Sequence, residues 1–130
     1  MHAKGKLDKR KVLLMDPIVL AFIGDAVYSL FVREKFALSS DFKSGKLSEM
    51  SASVVSAKAQ ARFVDEHPEI FTEEEGDVFR RARNAKKPSR AKHSTVSEYN
   101  KSTGFEAVLG YLYLTGDEER LDELLALADE

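Results

Sequence analysis

The chain has 130 residues, 43% of them hydrophobic, and a formal net charge of −2, so a single domain with its own core is expected over 1–130. It contains no cysteine, which excludes a disulfide framework, a thiolate metal site and a cysteine nucleophile. The apolar run Val12–Met15 in the basic N-terminal segment 1–15 is too short for a signal peptide or a membrane span, so a soluble cytoplasmic protein is expected.

Helix signals follow one another along the chain. Asp16-Pro17 sets an N-cap residue before a proline at the first helical position, and an apolar run continues to about Phe36. Residues 39–45 read as a loop. A second helix is expected from about Lys46 to Glu66, with a break among Ser48, Ser51 and Ser53, ending before His67-Pro68. Thr72 and Glu75 form a capping box for a helix reaching about Ala85. Residues 86–96, with Pro88 and several Ser and Thr, read as a basic loop. A long helix is expected from about Ser97 to Thr115, closed by Gly116, and a last one from Glu118 to Ala128 behind Asp117. No stretch alternates with a period of two, so the expected class is all-α.

Charge is segregated along this chain. Residues 65–77 carry seven acids and no Lys or Arg, whereas 80–93 carry seven basic residues and no acid. The basic block is Arg80, Arg81, Arg83, Lys86, Lys87, Arg90 and Lys92. Such a concentration in a nearly neutral chain fits a local polyanion site, or else a solvated helix face.

Two carboxylates stand alone. Asp25 is the only charged residue in PIVLAFIGDAVYSLFV (17–32), and Glu106 the only one in TGFEAVLGYLYL (103–114). Helices apolar on nearly every face are expected to be buried, and a buried unpaired carboxylate is costly. A salt bridge or a helix end would satisfy each acid separately, whereas one divalent cation would satisfy both. Carboxylate and water ligands suit Mg²⁺ or Mn²⁺. Gly24 and Gly104 lie beside these acids at a cost in helix propensity, which a close backbone or ligand approach would explain. The three histidines form no Glu-x-x-His pair, and there is no HExxH, G-x-S-x-G, P-loop or GxGxxG. His67 is expected at the surface, and Tyr28, Tyr111 and Tyr113 in the core or an interface.

AFIGDAV (21–27) resembles the signature segment of ribonuclease III, GKLSEMSASVVS (45–56) its second recurrent segment and TGFEAVLGYLYL (103–114) its third, in the family's order. VSAKAQA (55–61), RRARNAK (80–86) and STGFEAVLGYLYL (102–114) are similar to the Mini-ribonuclease III subfamily, which lacks a double-stranded-RNA-binding domain; none is expected here after the last helix. The resemblance implies a homodimeric, Mg²⁺-dependent endonuclease acting on the double-stranded stalk of precursor 23S ribosomal RNA, with Asp25 and Glu106 as catalytic and metal-holding residues. Ribonuclease III proper supplies four acids per site, but the other two positions are Ala21 and Thr103 here, so the metal count stays open. Thr103 is expected to reach a metal-bound water.

RNA contact is expected from the Arg80–Lys92 block, with Asn84 and Ser89 reaching 2′-hydroxyls and Lys58 and Gln60 as further contacts or mere packing. The apolar excess of the Asp25 helix marks it as the dimer face. A non-catalytic RNA-binding module of the same fold is the alternative, as is a helical protein-interaction domain. Retention of both lone acids argues against the first and the basic block against the second.

Overall fold

The computed structural model describes residues 7–39, 56–87 and 93–129, and every regular element among them is a helix. In order these are α1 (Lys9–Leu13), α2 (Pro17–Ser39), α3 (Ala57–Glu66), α4 (Glu73–Asn84), α5 (Val96–Thr115) and α6 (Glu118–Ala128). The all-α class is therefore as expected. The expected loop after Ser39 and the first part of the second helix lie almost wholly outside the described residues.

Local chemistry sets the helix ends. Thr72 and Glu75 form the expected capping box at α4, each side chain accepting from the other's backbone N–H at 3.1 Å. A second box, Thr95 with Glu98, starts α5 one residue earlier than expected. The Asp16 carboxylate accepts from Ile18 N at 2.8 Å at the start of α2, and Ser56 caps α3. Gly116 closes α5 with φ 73°, the left-handed conformation that glycine adopts without strain. Helix α1 was not expected. It is one short turn capped by Asp8, and its Val12 is fully buried in the core.

The fold is organised around α5, which packs against each of the other five helices. From Ser102 to Leu112 only Glu106 escapes full burial, so the segment lacks an amphipathic stripe because every side of it is covered. Helix α2 is the largest partner. Leu20, Ala21, Gly24, Tyr28 and Val32 face α5, whereas Phe22, Ala26, Leu30 and Leu38 are exposed. Helix α2 is thus buried on the core side, as expected, and its other side, where a partner subunit is expected, is exposed in the single chain.

Two glycines set the α2–α5 distance. A Cβ on Gly24 would lie 1.6 Å from the Glu106 carbonyl oxygen, and one on Gly110 would lie 2.0 Å from the Leu20 carbonyl oxygen. The helices therefore cross backbone to backbone. Gly104 serves α4 similarly, since a Cβ there would meet the Phe79 ring at 2.6 Å and the Phe79 carbonyl at 2.9 Å. The propensity cost of Gly24 and Gly104 thus has the explanation of a close approach.

One buried ion pair ties α6 to α4. Glu75 is 3% exposed, and Arg120 donates to both its oxygens at 2.9 and 2.8 Å and to the Ile70 carbonyl at 2.6 Å. Both oxygens of the Glu75 carboxylate accept hydrogen bonds, one of them also from the Thr72 N–H.

The glycine crossing yields a contrast. Gly110→Ala should destabilise the protein by about 3 kcal/mol or more, at or above the usual range for overpacking, because a backbone carbonyl cannot move aside as a side chain can. Gly76→Ala should be neutral or stabilising by up to roughly 1 kcal/mol, since its Cβ meets only the mobile end of Arg80 at 3.2 Å. Thermal melting of the two variants checks both; equal melting temperatures would contradict the crossing.

Candidate active site

The crossing brings the two lone acids together. Gly24 lies against the backbone of Glu106, so Asp25, next along α2, stands beside the Glu106 side chain on α5. The two carboxyl groups interact by hydrogen bond and charge. Their environments differ: Asp25 is exposed, and Glu106 is largely buried behind it. The expectation that both are buried is therefore corrected for Asp25, which sits at the margin of the exposed α2 face, one turn from Phe22.

Burial, then the hydrogen bond to Asp25 and the Asp25 charge, push the Glu106 carboxyl up to about 9, and a hydrogen bond from Gln60 opposes them. Near neutral pH this environment favours the protonated form of Glu106. Among the described residues no Lys or Arg forms an ion pair with either acid. Tyr28, one turn beyond Asp25, forms an adjoining wall. Burial first, then the charges of Asp129 and Glu106, raise its phenol above the ordinary value, so it is a neutral group packed edge-on against Phe105 at 5.6 Å.

The donor set fits a hard divalent cation of few protein ligands. Two carboxylates face one another without a counter-charge, and Mg²⁺ typically takes one or two carboxylates and keeps several waters. Among the described residues no group of three or more His, Cys, Asp or Glu is placed to hold a metal ion together. Ala21 is buried in the core, and Thr103 donates its hydroxyl to the Tyr99 carbonyl at 2.9 Å, within its own helix. That bond uses the Thr103 proton and leaves its oxygen able to accept from a water.

The basic block divides by function. Arg81 donates to the Leu13 carbonyl at 2.8 Å and tethers the α1–α2 turn. Lys87 donates to the carbonyls of Ala82, Arg83 and Ala85 at 2.6 to 2.7 Å, capping α4, and burial pushes its ammonium down. Arg80 pairs with Asp77. Arg83, Asn84 and the exposed Lys86 remain; Arg83 and Asn84 share a shallow groove of about 330 Å³ with Ser97, Asn100 and Lys101 of α5. Asn100 stands six residues before Glu106, roughly 9 Å along the helix. Ser89, Arg90 and Lys92 lie outside the described residues. Lys58 is exposed on α3, whereas Gln60, taken as a further RNA contact, is buried and points at Glu106.

His67 is half-buried, not a surface residue: its Nδ1 lies 2.8 Å from the Phe63 carbonyl at the end of α3. Tyr28 and Tyr111 are in the core, as expected. No described helix is long and apolar enough to cross a membrane.

The Ribonuclease III domain model matches residues 18–117 of this chain. A crystal structure of a protein from Fusobacterium nucleatum shares the fold at a TM-score of 0.77 and 30% identity, over 88% of this chain and 91% of that one. The helices and the carboxylate pair at their crossing thus make up a ribonuclease III domain. Mini-ribonuclease 3 of a Thermoanaerobacter species is 46% identical over 94% of this chain and 86% of its own length, and that of Staphylococcus aureus 45% over 88% and 87%. The chain belongs to the ribonuclease III family and groups there with the Mini-ribonuclease 3 proteins; it is a ribonuclease.

The Glu106 environment predicts a pH signature. Its carboxyl titrates near 4.5 when unfolded and near 9 when folded. Between those values the folded state holds a proton that the unfolded state has released, so its contribution to stability is full below about 4.5 and is lost as pH rises toward 9. Without metal, the melting temperature should fall as pH is raised through that window, and Glu106→Gln should flatten the fall. An unaltered slope in the variant would contradict this electrostatic assignment.

Proposed function

We propose that this chain is a metal-dependent endoribonuclease that cleaves double-stranded RNA, with Asp25 and Glu106 as its metal-holding pair. The observation that carries this is the pair itself: two interacting carboxyl groups from separate helices, held beside one another by the glycine crossing, without a basic partner among the described residues. Mg²⁺, or Mn²⁺, supplies a water of lowered pKa and positive charge beside the charge that develops on the scissile phosphate. Asp25 presents its carboxylate at the surface, where RNA arrives. Glu106 closes the site from behind, and with Asp25 it would hold the cation as a carboxylate.

A-form RNA is gripped through phosphates and 2′-hydroxyls across the minor groove. Arg83 and Lys86 suit the phosphates and Asn84 the hydroxyls. Arg90 and Lys92 are assigned to the same grip and Lys58 to its edge; Arg80 contributes when it leaves Asp77. Arg81 and Lys87 support the surface from behind, through the backbone carbonyls they hold. The precursor of 23S ribosomal RNA, whose ends form a double-stranded stalk, is the substrate proposed, and the cytoplasm the compartment.

The active form is proposed to be a two-fold homodimer built on α2. Phe22 is 76% exposed and Leu38 80%, and an apolar groove of about 660 Å³ runs beside them between α2 and α6. Such a face needs cover, and a symmetric partner also supplies a second site for the second RNA strand.

Cleavage tests the central assignment. Asp25→Asn and Glu106→Gln should each abolish cutting of a long RNA duplex in Mg²⁺ and leave duplex binding nearly intact, and EDTA should stop the unaltered enzyme. The same protein should sediment at about twice 14.6 kDa. Near-normal turnover in either variant would remove that residue from the site, a monomer that still cuts both strands would remove the dimer, and a wild-type chain that binds but never cuts would favour a non-catalytic module.

The grip has its own readout. Replacing Arg83, Lys86 and Arg90 by Ala should weaken duplex binding and lower the slope of log affinity against log salt by about two to three units, a figure taken over from B-form DNA. Lys87 is left in place because its loss would unsettle the end of α4. Unchanged salt dependence would move the RNA surface elsewhere.

A further inference from the structure

Gln60 has no apparent reason to be polar. It is 2% exposed on α3, in the layer that packs on α5, where a leucine would fill the space without an amide to satisfy. Its two polar atoms have separate partners. The Oε1 oxygen accepts from the Ser102 hydroxyl, and the Nε2 nitrogen donates to Glu106 Oε2 at 3.5 Å. Ser102 stands one turn before Glu106 on α5 and is itself buried.

The behaviour of Ser102 sets it apart from its neighbours. Thr103 and Thr115 donate to the carbonyls of Tyr99 and Tyr111, four residues back in their own helix. Ser102 instead reaches across to another helix. That hydroxyl donates to the amide oxygen, which leaves the NH₂ on the opposite side. With the oxygen turned to Ser102, the NH₂ must face Glu106.

We propose that Gln60, oriented by Ser102, is a positioning residue that holds one oxygen of Glu106 and thereby aims the carboxyl group at Asp25 and at the ion the two acids bind. The proposal rests on the Asp25–Glu106 metal assignment above. A lone Glu side chain has several rotamers to choose from, and the hydrogen bond from Gln60 selects one. Outer partners of this kind orient metal ligands without touching the ion.

The test uses the intact, RNA-free protein and Mn²⁺ alone, titrated by calorimetry, alongside steady-state kinetics on an RNA duplex. Gln60→Leu should weaken Mn²⁺ binding by roughly 10- to 100-fold and lower kcat by a similar factor. The KM for duplex should stay within about twofold, because Gln60 is buried away from RNA. Ser102→Ala should produce a smaller loss of the same kind, and Ser102→Thr should recover it. Since Ser102 acts through Gln60, adding Ser102→Ala to Gln60→Leu should cause no further loss. A packing role would instead give additive losses that follow thermal stability, and that result overturns the proposal. Unchanged Mn²⁺ affinity in Gln60→Leu also overturns it, and if that variant does not fold, unchanged affinity in Ser102→Ala does so. Asp25→Asn separates the two levels: if it binds Mn²⁺ normally the metal assignment fails, whereas if only the Gln60 variants bind normally the assignment stands without Gln60.

Discussion

The molecule depends on the absence of two side chains. At the α2–α5 crossing, Gly24 and Gly110 let one helix backbone rest on the other, with the Leu20 and Glu106 carbonyls occupying the space where Cβ atoms would be. Hydrophobic burial drives the association, but these glycines decide how close it comes. The same contact places the chemistry. Because Gly24 touches Glu106 itself, the residue after Gly24 must stand beside that carboxyl group. Helix packing and site assembly are one event at this point in the fold.

Two buried glutamates in the same domain are treated in opposite ways. Glu75 is enclosed by the Arg120 guanidinium and the Thr72 N–H, so its charge is fully answered and it serves to tie α6 to α4. Burial and the neighbouring Asp25 drive the proton affinity of Glu106 up, and only the Gln60 amide opposes them. The first arrangement holds structure. The second leaves two acids without a counter-charge, the arrangement that the proposed cation would answer.

Much of this was legible in the sequence, for identifiable reasons. Cap residues act over three or four positions, so Thr72 with Glu75, Asp16 with Pro17 and Asp117 marked helix starts correctly. A single acid inside twelve to sixteen otherwise uncharged residues marked Asp25 and Glu106, since side chains of that kind are rare without a task. What failed depends on tertiary placement. Arg120 looked like one charge in an acidic tail, and nothing local linked it to Glu75, 45 residues earlier. Gln60 was left between RNA contact and packing because its partner lies 46 residues away. Lys87 counted as a free cation until the α4 carbonyls were seen to surround its ammonium group. Asp25 was taken as buried because a helix apolar all round gives no sign of which face a single chain covers.

The placement of the two acids also bears on how the enzyme comes into being. Asp25 and Glu106 belong to segments about 80 residues apart in the chain, and the helix pair that unites them is the most extensive contact in the fold. Contacts at such separation carry the largest loop-closure entropy and so cannot form from any local piece of the chain. A nascent or partly opened molecule with α3 and α4 well formed would still have no cutting edge. On the proposed site, a chain that has not docked α5 onto α2 has not brought Asp25 and Glu106 together and is inert toward the cell's RNA.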